Sequence, residues 1–119
     1  MTSAELKYLI AIEELYDGIN GVKLTDIAAK VDVSKVSVYR AVERMHKNGY
    51  VERNDNNKVI LTDFGKKELV VYKKTLRFFE EQLEKICYIS SDIVYADALC
   101  LACALSDISR EKILNLNME

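Results

Sequence analysis

The run LTDIAAKVDVSKVSVYRAVERMHKNG, Leu24 to Gly49, leads directly into two β-prone tetrapeptides held apart by four turn formers. No other stretch limits the possible folds as much. Thr25 is expected to N-cap a short helix over Asp26–Lys30, with Ile27, Ala28 and Val31 turned inward. Asp32 and Val33 make a tight connection. Ser34 caps the next helix, which the Asn48-Gly49 pair stops. Two short helices joined by so few residues form a helix-turn-helix. Tyr50-Val51-Glu52-Arg53 and Lys58-Val59-Ile60-Leu61 then flank Asn54-Asp55-Asn56-Asn57, a hairpin with a polar tip. Together these elements predict a winged helix.

The remainder of the chain is read as helical. Proline is absent and only four glycines occur in 119 residues, which leaves few breakers for a loop-rich or all-β fold. Ser3 is expected to cap a first helix that runs to Asp17, with Leu9, Ile12, Tyr16 and Ile19 on one stripe. Thr62 caps a long helix whose Leu69, Tyr72, Leu76, Phe79, Leu83 and Ile86 alternate spacings of three and four, a heptad seam. That seam suits either a helix packed on its own domain or one that reaches a second subunit. Ser90 or Ser91 opens DIVYADALCLACAL, which is apolar almost all round and needs covering on every side. A chain this short has difficulty covering it alone, so a homodimer is expected. A last helix is placed from Ser109 to about Leu116. The fold class is thus mainly α: a winged helix-turn-helix DNA-binding domain over residues 1–64 and a helical dimerisation region over 65–119.

Charge is informative only by region. The net charge of −2 argues against a nucleic-acid partner, yet residues 23–67 hold ten Lys/Arg against six acids, between two acidic flanks. The third helix concentrates the signal. On a wheel of about 100° per residue, Val38, Ala41, Val42 and Met45 form the inward stripe. Val36, Arg40, Glu43 and Lys47 point the opposite way, with Lys35, Tyr39 and Arg44 on the flanks. A short apolar group among cations suits a major groove: Val36 for a thymine methyl, Arg40 for guanine edges, Tyr39 for a base or phosphate. Ser34, Ser37, Arg44 and Lys47 would fix the register through phosphates, Thr25 is a further DNA-contact candidate, and Arg53 and Lys58, flanking the wing tip, would reach either the neighbouring backbone or the minor groove. An isolated exposed valine is also common surface, and Val36 packed on the preceding helix is the competing reading.

The stretch KLTDIAAKVDVSKVSVYRAVERMHKNGYVERNDNNKVILTDFGKK resembles the winged-helix part of the diphtheria-toxin-repressor and manganese-transport-regulator family of metal-dependent bacterial repressors. The preceding helix ELKYLIAIEELY and the C-terminal helices resemble that family too. The resemblance implies a homodimeric repressor on a palindromic operator, with Lys35, Val36, Tyr39 and Arg40 at the family's DNA-contacting positions. Lys35-Val36 replaces the family's proline-serine, which implies a different operator. The family's metal, manganese or iron, is bound by carboxylates and histidines. The corresponding positions here are Lys7, Ile10, Leu76, Leu99, Ala102 and Cys103, so a manganese site is not expected and the cofactor is left unknown.

Cys100 and Cys103 share one helix face, with Cys87 just before that helix. Thiolates suit zinc or copper(I), or a redox switch; buried thiols in apolar surroundings are more often plain packing. The lone His46 lies on the flank of the third helix, and no nucleophile–base arrangement or phosphate loop is present, so no enzyme is expected. The odd cysteine count and the unremarkable N-terminus suit a cytoplasmic chain, and no run is long enough to span a membrane. A winged-helix module for protein contacts and a thiol-based sensor are the rival functions.

Overall fold

The structure is a computed structural model and describes residues 1–86 and 90–116; the expectation for Cys87 lies outside them. The elements run α1 (Ser3–Leu15), α2 (Leu24–Val31), α3 (Lys35–Lys47), β1 (Val51–Arg53), β2 (Val59–Leu61), α4 (Asp63–Ile86), α5 (Ser91–Ala104) and α6 (Asp107–Leu116). The chain divides into two compact units, Lys7–Lys67 and Met1–Leu6 with Glu68–Glu119. Helices α1 and α4 each contribute to both.

In the Lys7–Lys67 unit, α2 and α3 make the helix-turn-helix and pack together. Leu9, Ile12, Ile27, Val38, Val42, Met45, Val51 and Val59 are almost fully buried and form its core. Each such aliphatic side chain contributes roughly 1.5–3 kcal/mol by leaving water. The turn between the helices uses Asp32 in the left-handed region, φ 59°, whose N–H reaches the Ala28 carbonyl. The end of α3 is a Schellman motif. Gly49, φ 85°, donates to the His46 carbonyl, and Tyr50 donates to the Met45 carbonyl.

The hairpin pairs Val51 with Leu61, Glu52 with Ile60 and Arg53 with Val59, antiparallel. Asn54 builds its tip: the side-chain oxygen accepts from the Asn56 and Lys58 N–H groups. A third segment, unforeseen from sequence, braces the pair. Val22 and Val59 exchange two backbone hydrogen bonds of 2.8 Å. Asn54 also donates its amide to the Asn20 carbonyl at 2.9 Å. Past the hairpin, Thr62 caps α4 as expected, accepting from Gly65 N–H at 2.9 Å. Its hydroxyl also donates to the Gly49 carbonyl. Tyr50 stacks on Phe64 with centroids 5.4 Å apart. Gly65 is required here, because a Cβ would lie 2.1 Å from the Tyr50 oxygen.

Several local expectations are corrected. Thr2, not Ser3, caps α1: its hydroxyl accepts from Glu5 N–H at 3.1 Å. Helix α1 stops at Leu15, so its stripe does not reach Ile19, which is 82% exposed. Asp17 supplies the reason. Its carboxylate accepts from the Asn20 and Ile19 N–H groups, closing a turn and holding its pKa below the ordinary carboxylate value. Thr25 lies inside α2 rather than capping it; the N-cap position is Lys23, which makes no side-chain cap. Helix α6 starts at Asp107, two residues before the expected Ser109, because Ser106 caps it by accepting from Ser109 N–H.

In the second unit, α4 buries Leu69, Tyr72 and Leu76, but exposure rises along the seam until Ile86 is 72% exposed. Helix α5 buries Val94, Ala98, Leu99 and Ala102 on one side only. Its opposite side presents Ile93, Ala96, Cys100 and Ala104 to the surface. Arg110 of α6 is nearly fully buried. Its guanidinium donates to the Ala102 and Leu105 carbonyls and to the Asp107 carboxylate, and lies 4.3 Å from the Tyr72 ring centre. No helix among the described residues is long and apolar enough to cross a membrane.

Candidate nucleic-acid interface

Ser34 starts the interface. Its hydroxyl accepts from Ser37 N–H at 3.1 Å and donates to the Ser37 hydroxyl at 2.9 Å, fixing the first turn of α3. From that anchor the helix divides cleanly. Val38, Ala41, Val42 and Met45 have no exposed surface, while Lys35, Val36, Ser37, Tyr39, Arg40, Arg44 and Lys47 are exposed. Val36 is 59% exposed and does not pack under α2. The outer face of α3 therefore carries an apolar tip, an aromatic and cations together in its first two turns.

Arg53 stands differently from a free wing cation. Its guanidinium carbon lies 4.9 Å from the centre of the Tyr39 ring, so it joins β1 to α3. Nη1 donates to the Asn57 side-chain oxygen at 3.4 Å, and Nη2 is buried without a hydrogen-bond partner. Thr25 and Lys58 come together elsewhere. With Lys23 and Lys35 they line one cleft of about 260 Å³ between the wing tip and the starts of α2 and α3. Lys23 was not a sequence candidate, because placing the cap at Thr25 left it in a loop. Its place beside the wing follows from the neighbouring Val22–Val59 bridge, which the sequence does not announce.

The residues that the resemblance sets against the family's metal ligands do not suit manganese or iron. Leu76, Leu99 and Ala102 are buried apolar side chains, Ile10 is apolar and buried, and Lys7 is an exposed ammonium. Cys103 is half-buried, and burial pushes its thiol pKa up, away from the thiolate a metal needs. Cys100 is exposed, and both cysteines are free. Among the described residues, no three of His, Cys, Asp and Glu converge on a metal position.

A helix-turn-helix with a braced wing and a polar, cationic outer α3 face defines a winged-helix DNA-binding domain. Residues 1–59 match the iron dependent repressor N-terminal DNA binding domain. Residues 1–59 thus carry the DNA-binding domain of the iron-dependent repressors, a family of regulators and not enzymes. No curated protein sequence matches it. Solved structures share the fold. The hypothetical protein SSo2273 from Sulfolobus solfataricus is similar with TM-score 0.75 and 22% identity, over 98% of this chain and 88% of that one. The manganese regulator SloR gives TM-score 0.79 and 24% identity, over 100% of this chain and 56% of SloR. The T. acidophilum IdeR gives 0.65 and 21%, over 97% and 54%. The chain thus spans about half the length of SloR and of IdeR.

Proposed function

We propose that the protein is a homodimeric transcriptional repressor that reads a palindromic operator through α3 and steadies itself on phosphates through the wing. One observation carries the reading: Val36, Tyr39 and Arg40 share an exposed face on a helix whose other face is fully buried. Val36 meets a thymine methyl, Arg40 reads a guanine edge, and Tyr39 is held against Arg53 to present its hydroxyl. Lys35, Ser37, Arg44 and Lys47 contact the flanking backbone. The uncovered apolar side of α5 supports the dimer, because a second copy would cover Ile93, Ala96 and Ala104. Two α3 helices about 34–36 Å apart then meet successive major grooves.

The test is a titration of random and selected duplexes at several salt concentrations. Affinity should fall steeply as salt rises, and selected palindromes should bind at least about a thousandfold tighter than random duplex. Salt-independent binding, or no preference among sequences, would refute it.

A further inference from the structure

We infer that the cleft between the wing tip and the start of α2 is a seat for one phosphodiester of the DNA backbone, gripped by Lys23, Lys35 and Lys58. This rests on the DNA-binding reading above. Three elements, the approach to α2, the start of α3 and the wing, each contribute one lysine to the lining of a single cleft of about 260 Å³. No carboxylate lines it, and none of the three lysines has an ion-pair partner among the described residues. Three cations lining one cleft without a carboxylate give it a positive potential that suits an anion. Two further groups suit a phosphate. Thr25, exposed and with no hydrogen bond from its hydroxyl among the described residues, lines the cleft, and Asn57 adds a side-chain amide.

Geometry selects the backbone of a duplex as the source. Lys35 is the first residue of α3 and sits next to Val36 on the exposed face. A duplex received on that face therefore carries its sugar-phosphate edge toward Lys35 and the wing. The cleft is open and its walls are flexible lysines, which suits a phosphodiester delivered by a docked duplex better than capture of a small free ion. A contact of this kind holds register and carries no base information.

The experiment compares the full chain with the Lys23→Gln/Lys58→Gln double variant on matched and scrambled duplexes, from 50 to 200 mM salt. Each phosphate neutralised contributes about 0.9 to the slope of log affinity against log salt. The variant should lose about 0.9 per protomer from that slope, and its matched-to-scrambled affinity ratio should stay that of the wild type. An unchanged slope in a variant with wild-type circular dichroism and melting would overturn the inference while leaving the DNA-binding reading intact. A changed ratio would also overturn it, by making the lysines base readers. A second arm titrates inorganic phosphate at constant ionic strength, following the Thr25 amide by NMR. Absence of saturation in the millimolar range is expected; saturation reassigns the cleft to a free phosphate. A wild-type chain that binds no duplex removes the functional reading and this inference with it.

Discussion

Replacing Arg110 tests how the second unit is held. Helix α5 has no basic residue in its last turn, so nothing of its own offsets the negative end of its dipole or satisfies its last carbonyls. Arg110 does both from α6. It donates to the Ala102 carbonyl at 3.0 Å and to the Leu105 carbonyl, and stacks 4.3 Å from the Tyr72 ring centre. Hydrogen bonds from a charged donor are worth about 1.5–3 kcal/mol each, and a desolvated cation–ring contact about 2. Releasing the guanidinium from burial offsets part of that sum. Arg110→Ala should therefore destabilise the protein by about 2–4 kcal/mol. With about 4 °C per kcal/mol for a chain near this size, the melting temperature should fall by about 8–16 °C. Urea unfolding followed by circular dichroism measures the loss. Asp107 is the internal control: its side chain is 97% exposed, so Asp107→Asn should cost less than about 1 kcal/mol despite its ion pair with the same guanidinium. Arg110→Lys keeps the charge but not the fork and should fall between the two. A loss under about 1 kcal/mol for Arg110→Ala, or a lysine variant as stable as wild type, would refute the reasoning.

Further outcomes are expected. Ser34→Ala removes the acceptor for Ser37 N–H and should cost about 1 kcal/mol in urea unfolding. Gly65→Ala should destabilise by about 1–3 kcal/mol although alanine is the better helix former, because its Cβ meets the Tyr50 carbonyl; an equal or higher urea midpoint would contradict this. Arg40→Ala should lose about 1–3 kcal/mol of discrimination at one base pair per half-site, and equal weakening on all sequences would make Arg40 a phosphate contact. Ile93→Glu puts a charge on the uncovered side of α5 and should convert a dimer to a monomer in sedimentation equilibrium; an unchanged mass would place the interface elsewhere.

Periodicity made α3 legible. Val38, Ala41, Val42 and Met45 return at helical spacing, and every one is fully buried. The hairpin was legible for a similar reason, since its polar tip separates two short β-prone runs. Caps misled where two hydroxyls or two turn formers compete. Thr2 and Ser3 are both competent, and Thr25 has a capping side chain although the helix has already begun at Leu24. Long-range features left no local trace. Nothing around Val22 announces its pairing with Val59, and nothing around Gly65 announces the Tyr50 carbonyl above it. Nothing in the last helix singles out Arg110, because its Ala102 and Tyr72 partners lie in α5 and α4. At the interface, exposure of α3 followed from its own pattern, whereas the Arg53–Tyr39 stack and the lysine cleft needed three-dimensional placement.

The Val22 bridge has a consequence for how the wing behaves. A two-stranded ribbon alone is marginal in water and would sample many shapes before meeting a partner. Here two backbone hydrogen bonds from Val22, and the Asn54 amide on the Asn20 carbonyl, tether the ribbon to the segment leading into α2. Its ordering cost is met during folding, so little entropy remains to be lost when it engages a ligand. Cutting that tether should therefore slow docking and speed release even where every contacting side chain is left in place.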